Sequence, residues 1–267
     1  MIGEKKITIK GGHFDGFKEE IEKSIETDDK FLSWFDTSTN KQESFYSGEW
    51  DFSYHIFSRI AKYINNPSQL TALEIGYGGG RLTVAASRYF SNIIGIDIHD
   101  QSEYVYDLIK QRNIDNIRLI TLREKKFPVK NKSIDVIYSF IVFQHLESIE
   151  ILDRYISECS RILKDDGICC IYFGRYAKFS DGKEEGIVGK ALCLLDRFLE
   201  VVLLKRGYLE LESKVNEKNI ILSIKGLKKV LKKNNFSVIG RGISVKKIIE
   251  KGSKYGGQYG IVFKKNI

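Results

Sequence analysis

The segment Ala72-Leu-Glu-Ile-Gly-Tyr-Gly-Gly-Gly-Arg-Leu-Thr83 constrains the fold more than any other part of the chain. An apolar run, Ala72 to Ile75, passes into four glycines at 76, 78, 79 and 80 and then into a helical pattern. Glycine there removes side chains where the backbone must turn sharply and approach a ligand. A second apolar run, Asn92-Ile-Ile-Gly-Ile-Asp97, ends in an acid. Strand, glycine turn, helix, strand and acid is the plan of a nucleotide-type ligand site on an α/β sheet. The dinucleotide fingerprint G-x-G-x-x-G fails, because Arg81 stands where its third glycine packs helix on strand.

The pattern Glu74-x-Gly76-x-Gly78-x-Gly80 instead resembles motif I of class I methyltransferases that use S-adenosylmethionine. The likeness continues in order. IIGIDIHD is similar to motif II, SIDVIYSFIVFQHL to the strand and turn of motif IV, and ISECSRILKDDGICCIYF to the helix, turn and strand that follow. It spans roughly residues 70–174, with a fainter echo at 222–265. The resemblance implies an α/β fold: a seven-stranded, mostly parallel sheet with helices on both faces and the last strand antiparallel. It implies S-adenosylmethionine as cofactor and S-adenosylhomocysteine as product.

One domain is expected over 1–267. It divides into an N-terminal helical cap (1–70), a cofactor-binding core (71–174), an insertion or lid after the fifth strand (175–223), and a C-terminal helix with two strands (224–267). The patterns predict strands at 71–76, 92–97, 117–121, 134–140, 167–173, 236–241 and 258–264, and helices at 80–90, 101–113, 148–163 and 224–234. Phe52, Ile56, Ile60 and Ile64 form a helical stripe that packs on the sheet. In the insertion, Val188, Leu192, Leu195, Leu199 and Val202 make one stripe, and Leu194, Phe198 and Val201 a second. The favoured reading buries this helix against the core or a second copy. A lid for a lipid-linked substrate, or a membrane-surface contact, is the alternative. Asp196, Arg197 and Glu200 interrupt it too often for a spanning helix.

The start, MIGEKKITIKGG, is charged and lacks the apolar core of a secretory signal. Four cysteines without a C-x-x-C or Cys/His cluster read as reduced thiols, which gives a cytoplasmic expectation and no metal. Adjacent Cys169 and Cys170 in a strand point to opposite faces. The net charge of +8 is uneven: from Lys205 onward there are 16 basic and 4 acidic residues, and the rest sums to −4. Helix 224–234 explains part of it, with Ile224, Leu227, Val230 and Leu231 inward and lysines outward.

By the resemblance, Glu74, Gly76, Tyr77, Gly78, Gly80, Asp97, Ile98, Arg123, Glu124, Ser139 and Phe140 bind the cofactor. Asp97 accepts hydrogen bonds from the ribose diol, and Glu74 organises the turn. The acid that often holds adenine after the third strand falls at Arg123 here, with Glu124 next to it. Tyr46, Trp50, Tyr54 and His55 are candidate substrate or lid residues. An alcohol acceptor needs a base; His145 in VFQHL leads, with His55, His13 and the carboxylates of the N-terminal segment behind it.

The region after the fourth strand, Ser139-Phe-Ile-Val142, lacks the Pro-Pro-aromatic motif of base-amine methylation, and neither Pro67 nor Pro128 precedes a cysteine. Nucleic acid is thereby disfavoured. The leading expectation is O-methylation of a small molecule, such as a sugar, a nucleotide-activated sugar or a cell-surface glycan precursor. N-methylation of a small amine, amide or phosphoramidate-type group, RNA methylation, and a non-catalytic cofactor-binding subunit are the alternatives. A homodimer and a peripheral membrane contact stay open.

Overall fold

The computed structural model describes residues 15–36, 38–123, 126–181, 183, 186–211, 215–243 and 257–266. Helices α1 (Asp15–Lys23), α2 (Asp28–Phe35) and α3 (Lys41–Asp51) come first. Thr27 caps α2 and Asn40 caps α3 by accepting backbone N–H bonds. The chain leaves α3 through a π-helical turn, Phe52–Phe57, into α4 (Ser58–Ile60). The stripe Phe52, Ile56, Ile60 repeats every four residues, which drifts around a turn of 3.6. The wider i→i+5 turn corrects the drift, and all three side chains are buried.

The core alternates β1 (Thr71–Ile75), α5 (Arg81–Ser87), β2 (Asn92–Asp97), α6 (Ser102–Lys110), β3 (Ile117–Thr121), β4 (Ile134–Ser139), α7 (Ile149–Ile162) and β5 (Leu163–Gly174). After it come α8 (Gly186–Leu203), the short strands β6 (Tyr208–Glu210) and β7 (Ile220–Leu222), α9 (Ile224–Lys233), β8 (Phe236–Ile243) and β9 (Gln258–Lys265). The seven-stranded sheet runs β3-β2-β1-β4-β5-β9-β8. β1 to β5 are parallel, and β9 is antiparallel to both β5 and β8. β6 and β7 pair separately within the insertion.

Alternation along the strands supplies two cores. Leu73, Ile137 and Cys169 face α7 and α9, with Ile156, Leu227 and Leu231. Ala72, Val136, Tyr138 and Cys170 face the other way, with Phe52, Ile60 and Ala85. The neighbouring cysteines therefore lie on opposite faces, and burial raises both thiol pKa values. The Lys164–Gly167 stretch, expected as a turn before β5, belongs to β5 and bulges where its register with β4 shifts. Asp165 there pairs with Lys132 at 2.9 Å.

The insertion departs furthest from expectation. The Gly189, Asp196 and Glu200 side of α8 is the buried one, while both apolar stripes turn largely outward. Asp196 accepts from the Phe179 and Ser180 backbones and the Ser180 hydroxyl. Glu200 accepts from Ile224 N–H and the Tyr259 hydroxyl. These charge-assisted bonds, rather than apolar burial, fix the roll of the helix.

Candidate cofactor and acceptor site

β1 and β4 lie side by side and the strand order reverses beside them, so a crevice opens at their carboxyl ends. A cavity of about 1110 Å³ of space, open to solvent, occupies it. Gly76 and Gly78 form its floor with φ of +80° and +50°, in the left-handed region that favours glycine. A Cβ on Gly76 would overlap Val142, and one on Gly78 would sit 2.7 Å from the Phe35 ring. The loop is thus enclosed by the turn after β4 on one side and the cap on the other.

Asp97 ends β2 against this floor. Its Oδ2 accepts from Gly78 N–H at 2.8 Å and its Oδ1 from Ile98 N–H at 2.6 Å. A carboxylate has about four lone-pair sites, so acceptor capacity remains for a diol at the cavity wall. His99, which the sequence reading passed over, completes the brace. Its Nδ1 accepts from Gln101 N–H at 3.2 Å, so Nε2 carries the proton and donates to the Gly78 carbonyl at 3.1 Å. Tyr77 meets the His99 ring edge-on, with centroids 4.9 Å apart.

Glu74 is buried beneath the turn. It accepts from the Thr83 hydroxyl at 2.6 Å and the Tyr138 hydroxyl at 3.1 Å, joining β1, α5 and β4. Burial lifts its pKa to about 7, against the lowering effect of these two bonds. Gly80, with φ +82°, precedes the first residue of α5 and donates to the Tyr77 carbonyl. Ser139 donates to the Ile75 carbonyl at 2.7 Å and holds β1 to β4 from behind.

The side chain that breaks the dinucleotide fingerprint has a role of its own. Arg81 Nη1 is 2.5 Å from Asp51 Oδ2, and its Nε is 3.6 Å from Asp36 Oδ2. Ser44 also donates to Asp36. The cap is therefore fastened to the end of the glycine turn by buried charges.

Glu74, Gly76, Tyr77, Gly78, Asp97, Ile98, Phe140 and His145 all line the cavity. Arg123 does not: its side chain is largely exposed and pairs with Asp100 at 3.1 Å, while Leu122 takes the wall position. Glu124 and His13 lie outside the described residues.

The expected lid residues also sit elsewhere. Tyr46 is exposed, and Trp50 stacks on Tyr54 with centroids 5.4 Å apart. His55 is buried behind Phe140, stacked on it at 4.8 Å, with Nδ1 3.2 Å from the Tyr172 hydroxyl. The aromatic lining comes from further upstream, from Phe17, Trp34 and Phe35, joined by Asn216 of the insertion. The apolar positions of α1 and α2 signalled helices but not which face meets the ligand.

His145 differs from the base that the sequence suggests. Its Nδ1–H donates to the Glu217 carbonyl at 2.6 Å, and Nε2 then accepts from the Gln144 amide at 3.2 Å. Burial pushes its pKa down to about 4. Both ring nitrogens are engaged and the imidazole stays neutral, which suits a clamp on the 217–219 segment better than a proton acceptor.

A methyltransferase-domain family model matches residues 73–171, the segment that builds this floor. Over this segment the chain is similar to methyltransferase domains. It is 26% identical over 96 residues to the uncharacterized methyltransferase YcgJ of Bacillus subtilis (strain 168). That match covers 36% of the chain and 37% of the relative's length.

The fold also recurs in solved structures. The YcgJ crystal structure superposes with a TM-score of 0.52 at 15% identity, covering 78% of this chain and 97% of that one. A SAM-dependent methyltransferase from Aquifex aeolicus gives 0.51 at 14%, covering 82% and 93%. The residues present fit the cofactor. Asp97 offers acceptor capacity to a ribose diol, Ile98 and Leu122 offer an apolar slot to a flat base, and the glycine turn admits a ligand against its backbone.

Proposed function

We propose that this chain transfers a methyl group to a small acceptor enclosed beneath its N-terminal cap. S-adenosylmethionine supplies an electrophilic methyl group on a sulfonium. The chain's own contribution is to orient the two reactants and exclude water.

One observation carries the reading: the cavity runs without interruption from the ribose-facing Asp97 to the Phe140–Val142 turn beyond β4, roofed by Phe17 and Trp34. Because the lining is continuous from Asp97 to Val142, the cavity places a cofactor end and an acceptor end side by side.

The wall around Phe140 favours one kind of acceptor. Phe17, Trp34, Ile141, Val142 and Leu146 are rings and alkyl groups, and His145 and Asn216 are neutral. A sugar carries many hydroxyls that this wall does not match, and its weakly acidic alcohol needs a base that His145 is poorly placed to be. A flat or branched apolar molecule with a neutral amine, a thiol or an acidic phenol suits it better, because such a group already presents a reactive lone pair near neutral pH.

The test is S-adenosylhomocysteine release with methyl-labelled cofactor across apolar amines, thiols, phenols and sugars, with label position read by fragmentation mass spectrometry. Turnover on the apolar set supports the reading. Cofactor binding without turnover on any of these classes, or turnover confined to sugars, overturns it.

A further inference from the structure

We propose that α8 is a membrane-docking helix, whose outward face lies flat in the headgroup region of a bilayer containing anionic lipid. At 18 residues the helix is about 27 Å long. Ile187, Ala191, Leu194, Phe198 and Val201 follow one another at spacings of four and three and fall along one line of it. They point to solvent: Ile187 is 88% exposed, Val201 74%, and Leu194 and Phe198 66% each. Val188, Leu195 and Val202 widen the face, and Phe179 adds a ring beside it. Apolar surface of this extent on one helix marks an interaction site.

Charge identifies the occupant. α8 contains four charged residues. The two acids, Asp196 and Glu200, are buried and spent on Phe179, Ser180, Ile224 and Tyr259. The two bases, Lys190 and Arg197, are exposed and lie seven residues apart along one border of the apolar face. Lys205 and Arg206 follow directly after the helix, both exposed. An apolar face with exposed cations at its border, on a helix whose own two carboxylates are buried, is the pattern of a helix in the interfacial plane of an anionic bilayer. A second copy of this chain would offer those cations no exposed carboxylate on its own α8.

No helix among the described residues is long and apolar enough to cross a membrane, so α8 lies on a bilayer rather than spanning one. The face is also joined to the cavity. Asp196 holds Phe179 and Ser180; the next residue, Asp181, pairs with Lys218 at 3.0 Å; and Lys218 is two residues from cavity-lining Asn216.

Flotation of the full chain with phosphatidylcholine vesicles, with and without phosphatidylglycerol, tests the assignment. Binding is expected only with the anionic lipid, weakening with salt. Phe198→Glu with Val201→Glu removes it, and Lys190→Gln with Arg197→Gln lowers partitioning by about 30-fold. If the glutamate variant misfolds, the glutamine pair, which changes only exposed side chains, carries the test. Failure of the parent chain to float with anionic vesicles overturns the proposal, as does undiminished binding by the glutamine pair. A dimer in light scattering that Phe198→Glu dissociates, without vesicle binding, assigns the face to a second copy instead and also overturns it. None of these readouts depends on methyl transfer.

Discussion

Arg81 Nη1 lies 2.5 Å from Asp51 Oδ2, and this buried pair joins the first residue after the glycine turn to the last residue of α3. Removing one partner leaves the other charge buried and uncompensated, at about 3–5 kcal/mol. Arg81→Ala is therefore expected to lower unfolding stability by about that amount. It should also weaken cofactor binding, since the cap rests on the turn through the same contact. Urea denaturation and titration calorimetry check both. Unchanged cofactor affinity in a folded Arg81→Ala protein would show that the cap and the turn are not coupled.

Glu74 and His145 titrate in opposition. Folding raises Glu74 from 4.5 to about 7, so between these values the folded chain keeps a proton that the unfolded chain releases, and stability falls as pH rises. Folding lowers His145 from 6.5 to about 4, so over that range the unfolded chain binds a proton that the folded chain does not, and stability rises with pH. Each effect is on the order of 3 kcal/mol across its window, and the two nearly cancel where they overlap. Relative to the parent, Glu74→Gln should gain stability as pH rises from 4.5 to 7. His145→Asn should lose it from 4 to 6.5. Denaturation midpoints over a pH series decide; differences with the same slope defeat the argument.

The parts of this site that are legible in the sequence are those fixed by local backbone chemistry. The glycines at 76 and 78 announce a turn that only they tolerate, and the acid at 97 follows at the end of an unmistakable apolar strand. What stays hidden depends on how separate elements roll against one another. Phe17, Trp34 and Phe35 are ordinary helix residues until α1 and α2 dock on the turn. α8 has two apolar stripes that read as buried. Two carboxylates with backbone partners on residues 179, 180 and 224 turn them outward, and no periodicity reports those partners. His145 reads as a base because its type suits one. Only the fold shows that Glu217 and Gln144 occupy both nitrogens.

The acceptor roof separates from the aromatic cluster of α3. Trp34 lies edge-on to both Phe17 and Phe35, at 6.3 and 4.9 Å, and lines the cavity. Truncating an aromatic anchor in a binding pocket costs about 2 kcal/mol or more. Trp34→Ala is expected to raise the acceptor KM by about 30-fold while the cofactor Kd stays close to that of the parent. Trp50→Ala, on a ring that stacks on Tyr54 away from the cavity, should leave the acceptor KM unchanged. Steady-state kinetics for both variants make the comparison, and an equal effect from Trp50 would return the lid role to α3.

Ile141 holds φ at +63°, a left-handed conformation that a β-branched residue rarely adopts, and it does so in the turn that faces the acceptor. Such strain costs on the order of 1–3 kcal/mol and persists where surrounding contacts impose it. Here Ser139 anchors the turn on one side through Ile75, and His145 N–H holds the Val142 carbonyl at 2.9 Å on the other. Glycine at 141 relieves the strain but removes a half-buried side chain, and the two effects oppose. Ile141→Gly should therefore change unfolding stability by only about 1 kcal/mol, well below the cost of deleting a comparable unstrained side chain. Its kcat should fall even so, because the turn no longer has a single shape against which the acceptor is aligned. Thermal unfolding and single-turnover rates test the two halves together. A large loss of stability with normal turnover would mean that Ile141 serves packing and that its strain plays no part in the site.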